Sequence, residues 1–321
     1  MEEKEMTNNM NVQAVQYIGM DIGRGYVKAY SEHMGEVYQT RFKSIVALGR
    51  DMDFNEDFDK MENQDKIYIE IEGKKFFCGK LAELEGFNPN QNERDDKTSP
   101  TVKRLVYAAL NEVAVSSQVK IMLGVPHKLF KKEVLNAVIE AYKGKTIEIK
   151  NKITGTFKEV TIRDNLIFRE ADAALMWHVR QYPTLKNGAV AMVNVGFRTT
   201  ELCFYEKGLK YNDKKSNTLE LGNKTALEYV ERELSTSGTK RTLAEIDSSD
   251  EYDDLKENAY EMLSETIANR IEGAWINLNE VAICACGGTS QKLTLGYEVI
   301  DDPQMATSKG LYLVAKKKFS A

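Results

Sequence analysis

The chain has 321 residues, 42% of them hydrophobic and 29% charged, and these proportions exclude a wholly disordered or fibrous protein. Its 44 basic and 49 acidic residues leave a net charge of −5, which argues against a large sequence-independent nucleic-acid surface. Four cysteines make no disulfide framework and fit a reducing cytoplasm, and no apolar run approaches the ~18 residues of a membrane span.

The chain begins with a polar segment that leads into a hairpin. Residues 1–14 are asparagine-rich and lack periodicity, so we expect a flexible leader there. The apolar composition of 15–21 predicts a strand, and 26–30 resumes strand composition after a glycine-rich turn over 22–25. Glycines at such a turn favour a tight β-hairpin.

Strand-like alternation continues beyond this hairpin. Residues 36–48 and 66–78 alternate apolar and polar side chains, which predicts further strands. The charged segment 51–65 and the Asn- and Asp-rich segment 84–98 predict loops.

The middle of the chain mixes helices and strands. Pro100 suits a first helical turn, so we expect a helix over 100–116, capped by Thr98 or Ser99. The remaining predictions for this half are a strand over 119–125, a helix over 131–142, a hairpin over 145–150 and 157–162, a short strand over 166–168, and a helix from Glu170 to before Pro183.

The second half of the chain repeats the hairpin pattern. An apolar strand over 189–195 is followed by a polar turn over 196–200 and a return strand over 201–205. The other predicted elements are helices over 223–234, 251–278 and 304–318, an acidic run over 247–254 that forms a solvated loop and a helix start, and a buried strand over 281–286 that ends in Gly287-Gly288-Thr289. Cys284 and Cys286 lie on that strand, and we interpret them as small buried residues rather than zinc ligands.

Asp21 and Asn194 precede the turns of the two hairpins, and they lie 173 positions apart. This distance is about half the length of the chain. At roughly 150 residues per domain, the length also favours two domains. Two similar α/β halves that face each other would enclose a cleft.

The turns of this cleft have the composition of a phosphate site. Glycine-rich turns allow close approach and leave backbone N–H groups free to point at a phosphate, although a single such turn is more often a plain hairpin. Asp21 suits a hydrated Mg²⁺, and Lys28 suits a phosphate or is a solvated strand lysine. Glu170 suits the activation of an attacking water, or is an acid that favours the helix dipole.

Five ordered segments resemble the nucleotide-site motifs of the actin superfamily. They are a first phosphate motif at 20–28, a first connecting helix at 168–174, a second phosphate motif at 193–200, an adenosine motif at 285–289, and a second connecting helix at 302–312. Within the superfamily the chain most resembles the bacterial plasmid-partition actins of the ParM and Alp type. Its length, the Ile121–Pro126 segment, the Arg-Thr-Thr-Glu after the second turn and the Pro-Gln-x-Ala near the end are typical of them.

The resemblance implies an α/β actin-like ATPase fold, with two ribonuclease-H-like domains around a nucleotide cleft. Domain I would span 1–168, with a small insert at about 31–90, and would be completed by the C-terminal helix at 303–321. Domain II would span 169–302.

The resemblance also implies a cofactor and roles for single residues. ATP, with GTP as an alternative, and Mg²⁺ would occupy the cleft, with Asp21 near the metal through water and Glu170 positioning the attacking water. Asn194 would complete the catalytic group. The implied nucleotide-binding residues are Gly23, Arg24, Gly25, Tyr26, Lys28, Gly196, Phe197, Arg198, Thr199, Gly222, Gly287, Gly288 and Thr289.

Two residues depart from the pattern of the family. Asn194 stands where the family usually has an aspartate, and an amide supplies no negative charge to the water shell of a metal. We therefore expect hydrolysis that depends on Glu170 and Asp21. Arg24 stands where actins prefer a small or hydroxyl residue, and it either faces outward or adds charge to the γ-phosphate.

The function implied by the resemblance is a cytoplasmic ATPase that forms head-to-tail filaments and segregates plasmid DNA. A ParR-type adaptor would bind the DNA, so the chain itself would bind neither nucleic acid nor membrane. The main alternative is a metabolic small-molecule kinase of the same fold, although no compact acceptor site stands out. A chaperone ATPase, a cell-shape actin and a nucleotide-binding protein that does not polymerise fit less well.

Overall fold

A computed structural model describes residues 14–52, 61–62, 65–92 and 96–320 of the chain. The predicted leader lies outside the described residues apart from its last position, and most of the predicted 51–65 loop does too. The described residues form two β-sheets, one of ten strands and one of six, with helices packed on them.

The ten-stranded sheet is built from the first half of the chain. In chain order its strands are β1 (Gln16–Ile22), β2 (Tyr26–His33), β3 (Glu36–Lys43), β4 (Ile45–Leu48), β5 (Ile67–Ile71), β6 (Lys74–Cys78), β7 (Phe87–Gln91), β8 (Gln118–Val125), β9 (Thr146–Asn151) and β10 (Phe157–Arg169). Their spatial order is β3-β2-β1-β8-β10-β9-β5-β6-β4-β7. Strands β4 to β7, which belong to the predicted insert, therefore extend the sheet beyond β9.

The centre of this sheet is parallel and buried on both faces. Strand β8 pairs in parallel with β1 on one side and β10 on the other. Parallel strands covered on both faces need nearly continuous apolar sequence, as in Ile121-Met122-Leu123. Helices α1 (Lys80–Glu85), α2 (Pro100–Val113) and α3 (Lys132–Tyr142) complete this half, and the Ser99 hydroxyl caps α2 as predicted.

Two predictions for this half are wrong. The segment 84–98, predicted as a loop, contains the end of α1 and strand β7, which pairs with β4. The segment 166–168 is no separate strand, because β10 runs from Phe157 to Arg169 through an irregularity between Ile162 and Asp164. Asn165 is fully buried there, and its amide donates to the carbonyl of Val138.

The six-stranded sheet is built from the second half. Its strands are β11 (Ala189–Val195), β12 (Thr200–Glu206), β13 (Lys210–Tyr211), β14 (Asn217–Leu219), β15 (Val281–Cys286) and β16 (Glu298–Val299). The main order is β13-β12-β11-β15-β16, and β14 also pairs with β12. The helices of this half are α4 (Glu170–Gln181), α5 (Asn223–Thr236), α6 (Leu243–Ser248) and α7 (Asp253–Ala274).

The region 247–278 differs from its prediction at both ends. The acidic run 247–254, predicted as a solvated loop and a helix start, contains the start of the next helix but begins with the end of α6, which a Thr242–Glu245 capping box starts. The following helix begins at Asp253 rather than 251 and ends at Ala274 rather than 278.

Two helices connect the halves. Helix α4 follows β10 directly, and α8 (Ala306–Phe319) returns from the second half to pack on β1 and β8. They cross where Gly310 meets Ala173, since a Cβ on Gly310 would lie 1.8 Å from the Ala173 carbonyl oxygen. Only glycine permits this approach. Across the part of the chain that the structure describes, no helix has the length and apolar character needed to cross a membrane.

Candidate functional site

A cavity of about 520 Å³ lies between the two sheets, and three glycine-containing turns line it. They are the β1–β2 turn, the β11–β12 turn, and the turn after β15. The volume falls within the range of small-molecule sites.

Side chains from outside the hairpin hold the first turn in place. Its carbonyl oxygens accept hydrogen bonds from four of them: Lys97 to Ile22 at 2.8 Å, Ser44 and Asn92 to Gly23 at 2.6 and 3.2 Å, and Gln91 to Arg24 at 3.4 Å. Because a trans peptide directs its N–H opposite to its carbonyl, the amide that follows Gly23 points away from these partners.

The second turn is fixed by the start of α5. The backbone N–H of Asn223 donates to the Gly196 carbonyl at 3.2 Å, and the backbone N–H of Lys224 donates to the Phe197 carbonyl at 2.7 Å. Gly222 packs against the same carbonyls, because a Cβ there would lie 2.7 Å from the Gly196 oxygen. Gly222 therefore supports the turn on the side that faces away from the cavity, and it does not line the cavity.

The third turn packs tightly against the second hairpin. Gly287 has a φ of 92°, and a Cβ at this position would lie 2.3 Å from the Val195 carbonyl oxygen. The Thr289 hydroxyl donates to the Gly196 carbonyl at 3.0 Å. The approach at Gly287 requires glycine, since any side chain there would separate the two turns.

The residues beside the first two turns occupy equivalent positions but differ in charge. In the first hairpin Asp21 lies opposite Lys28 in the strand register, and the two form a 2.9 Å ion pair. In the second hairpin Asn194 lies opposite Glu201. Glu201 is almost fully buried, and its carboxyl accepts hydrogen bonds from Asn194 and from the backbone of His127.

Glu170 lies between these pairs, at the first residue of α4. Burial raises the pKa of Glu170 to about 8, whereas the positive charge of Lys97 lowers it. The Lys97 ammonium lies 3.6 Å from the Glu170 carboxylate, and Lys97 is itself only 5% exposed. Burial also raises the pKa of Glu201. Glu170 therefore has a pKa well above that of an ordinary carboxyl group, as is common for acid–base residues in functional sites.

The outer part of the cavity carries a second polar network. Lys292 contacts the Asp247 carboxylate at 3.4 Å and the Tyr260 hydroxyl at 2.8 Å, and Asn223 contacts both of those groups. Asp247 is thus a cavity residue and not a member of a solvated loop. At the mouth, Lys43 from the first half donates to the Ser248 hydroxyl of the second half at 2.8 Å.

The structure brings nearly all the predicted site residues into this one cavity, with Gly222 as the exception described above. Those that line it are Asp21, Gly23, Arg24, Gly25, Tyr26, Lys28, Glu170, Asn194, Gly196, Phe197, Arg198, Thr199, Gly287, Gly288 and Thr289. Their proximity is a finding, and their individual roles stay predictions.

Sequence reasoning missed several polar residues of the site, of which Lys97, Asp247, Lys292 and Glu201 make the contacts described above. Lys97 falls in a stretch that looks like a polar loop, and Asp247 in one that looks like a solvated acidic run. Lys292 follows the third turn without any distinguishing pattern. Glu201 carried the only signal, because it lies seven residues after Asn194 just as Lys28 lies seven after Asp21.

The comparisons with known proteins agree with this architecture. Residues 19–171, just under half of the chain, match the family model described as "Actin like proteins N terminal domain". No curated protein matches the sequence.

Solved structures match over nearly the whole chain. An archaeal actin homolog superposes with a TM-score of 0.77 at 20% identity, covering 94% of this chain and 99% of that one. A ParM filament subunit from Clostridium botulinum superposes with a TM-score of 0.78 at 20% identity, covering 94% and 99%. The archaeal homolog in complex with ADP gives 0.73 at 19% identity, covering 95% and 100%.

These matches confirm the predicted α/β actin-like fold, and they confirm the resemblance to actin-like proteins of the ParM and Alp type.

Proposed function

We propose that this actin-like chain is an ATPase that polymerises into filaments on binding ATP and Mg²⁺. The proposal rests chiefly on the cavity in which two glycine turns face each other beside the half-buried carboxyl of Glu170, whose pKa is raised. A Cβ on Gly25 would lie 3.0 Å from the Phe197 Cβ, so the two turns approach closely across the cleft. A chain of phosphates between them would contact both halves at once.

The side chains beside the turns suit Mg²⁺ with its water shell. Asp21 offers a carboxylate and Asn194 an amide oxygen, and Mg²⁺ takes oxygen ligands while keeping several waters. Asp21 would hold the hydrated ion, and Asn194 would hydrogen-bond one of its waters. The bound ion supplies positive charge that offsets the phosphate charge.

Glu170 supplies the acid–base chemistry. Its carboxylate accepts a proton from the attacking water, which requires Glu170 to be ionised beforehand. Burial opposes ionisation, and the Lys97 ammonium favours it. Lys97 also holds the Ile22 carbonyl, so it links the proton acceptor to the first phosphate turn.

Contacts across the cleft can couple nucleotide binding to filament assembly. Lys43 and Ser248 meet at the mouth, and Gly25 meets Phe197 inside. A ligand that binds both turns favours the conformation in which these contacts form, and loss of its terminal phosphate weakens that preference. Subunits that join head to tail through heterologous surfaces then form an open filament.

The biological role that we propose is cytoplasmic plasmid segregation. ParM is the protein in one of the similar filament structures. The net charge of −5 fits a chain that is linked to DNA by a ParR-type adaptor and does not itself bind the DNA phosphates. GTP remains the alternative nucleotide.

Light scattering of the purified chain tests the proposal. Addition of ATP and Mg²⁺ should raise the scattering, which should then decay as phosphate is released. ADP should give no sustained rise, and Glu170→Ala should give a rise that persists. Nucleotide binding without any rise, well above ~10 μM protein, would contradict the filament proposal and favour the kinase alternative.

A further inference from the structure

A second cluster of potential ligands lies outside the nucleotide cavity. His178 on α4, Cys284 on β15 and Glu298 on β16 place their ligand atoms within 4.8 Å of one another. None of the three lines the cavity between the sheets. They come from three separate parts of the chain, and 106 residues separate the histidine from the cysteine.

The fold fixes this cluster firmly. Cys284 and Glu298 are register partners on neighbouring parallel strands, so their side chains emerge on the same face of the sheet. Helix α4 covers that face, because Ala174 and Leu175 pack in the same apolar cluster as Cys284. His178 lies one turn beyond Ala174 and is directed at the same strands.

We propose that His178, Cys284 and Glu298 bind a zinc-class divalent cation. Imidazole, thiolate and carboxylate are the ligands that Zn²⁺ takes at about 2.0–2.3 Å, and a tetrahedral centre then holds them about 3.3–3.7 Å apart. The Cys284 Sγ and the His178 Nε2 are already 3.6 Å apart. The exposed Glu298 side chain completes the approach by rotating inward, and a water takes the fourth position.

The surroundings favour a cation here. His178 and Cys284 are each only 2% exposed, and the ring atom that faces the Cys284 Sγ is the His178 Nε2. The other ring nitrogen, Nδ1, has no hydrogen-bond partner within the described part of the chain and would not contact the cation. Glu298 and Asp301 both direct negative charge toward the imidazole.

Bound metal would join the last turn of α4 to the edge strand β16. Helix α4 is one of the two helices that connect the halves, and β16 precedes the other. The site would therefore stabilise the second half at the point where both connections leave it. A thiolate ligand selects zinc-class ions over Mg²⁺, so this site is chemically distinct from the one beside Asp21.

Titration of the nucleotide-free, chelator-treated chain with Co²⁺ tests the assignment. We expect one equivalent to produce the visible absorption of tetrahedral Co²⁺ and a near-ultraviolet sulfur-to-cobalt charge-transfer band. Cys284→Ser should abolish the charge-transfer band and weaken binding at least ~100-fold, and Glu298→Gln should weaken it ~10-fold. Cys203→Ser, which changes a thiol buried on the same face, should behave as the wild type.

Thermal unfolding provides the second readout. Zn²⁺ should raise the midpoint of the wild type and of Cys203→Ser, whereas Mg²⁺ should not. Glu298→Gln changes an exposed side chain, so it keeps the test valid if Cys284→Ser fails to fold. The proposal is overturned if the wild type gives no charge-transfer band, or if both Glu298→Gln and Cys284→Ser bind Co²⁺ like the wild type.

Discussion

The two hairpins that face each other across the cleft share a backbone plan and differ in charge. Each has a buried first strand, a glycine turn and a return strand, with a polar pair in register at the mouth of the turn. In the first hairpin the pair is the ion pair of Asp21 and Lys28. In the second it is the amide of Asn194 and the buried carboxyl of Glu201.

This difference gives a physical reason for the departure of Asn194 from the pattern of the family. An aspartate at that position would face the buried Glu201 carboxyl, and the repulsion between two adjacent carboxylates opposes the ionisation of both. The acid of the second hairpin is on the return strand, where the first hairpin has its lysine. The charges at the cleft are therefore arranged differently in the two halves, although the turns are alike.

The largest effect should follow from making the first hairpin resemble the second. Asp21→Asn removes the only carboxylate of the first pair and leaves Lys28 facing an amide. We expect ATP turnover to fall about 10²–10³-fold, because the charge that holds the hydrated Mg²⁺ is lost. Phosphate release at saturating ATP measures the change.

A matched control breaks an ion pair of similar geometry elsewhere. Asp302→Asn removes the carboxylate that contacts Lys309 at 2.6 Å, outside the cavity. Turnover should be unchanged in this variant. Equal losses in both variants would show that the effect of Asp21→Asn comes from general destabilisation.

The converse change makes the second hairpin carry an extra acid. Asn194→Asp places a carboxylate against Glu201, whose pKa burial already raises. The folded state then binds more protons than the unfolded state, so stability falls as pH rises. We expect the free energy of unfolding to drop by about 1–3 kcal/mol near pH 8 and by less near pH 5, as measured by urea denaturation.

The double variant Asn194→Asp/Glu201→Gln restores a single carboxyl to this pair and should recover most of the lost stability. No recovery would mean that the two residues are not coupled.

Asn194→Asp should also change the turnover and its dependence on Mg²⁺ concentration, since a carboxylate adds charge beside the metal's water shell. If both stay the same, Asn194 has no part in hydrolysis.

A smaller effect should follow from neutralising the cation between the hairpins. Lys97→Met removes the positive charge that lowers the pKa of Glu170, so that pKa should rise above about 8. Hydrolysis near pH 7 should slow by roughly tenfold and recover at higher pH, because a shift of about one unit changes the ionised fraction by that factor. A pH profile measures this, with the exposed Lys145→Met as control.

The sequence was informative where local pattern controls structure. Alternation and glycine placement located both hairpins, and Pro100 with Ser99 located the start of α2. The segment containing β7 gave no such signal. Its residues, Phe87 to Gln91, are mostly polar, largely exposed and interrupted by a proline, and they form a strand only because β4 offers a pairing edge.

Long-range contacts account for the rest. Nothing near Lys97 in the sequence indicates burial, and its environment arises only when the first turn and α4 come together around it. Similarly, no histidine lies near a cysteine in the sequence, yet the fold places His178 beside Cys284. Contacts of this kind depend on tertiary structure, which a local pattern does not encode.

The most direct test of the central claim is a pH profile of single-turnover phosphate release from ATP, for the wild type and Glu170→Gln. With Glu170 as the proton acceptor, the wild-type rate should rise with pH through a midpoint near 8. Glu170→Gln should bind ATP normally, lose about 10²–10⁴-fold in rate, and lose that midpoint. An unchanged rate and midpoint in Glu170→Gln would contradict the account.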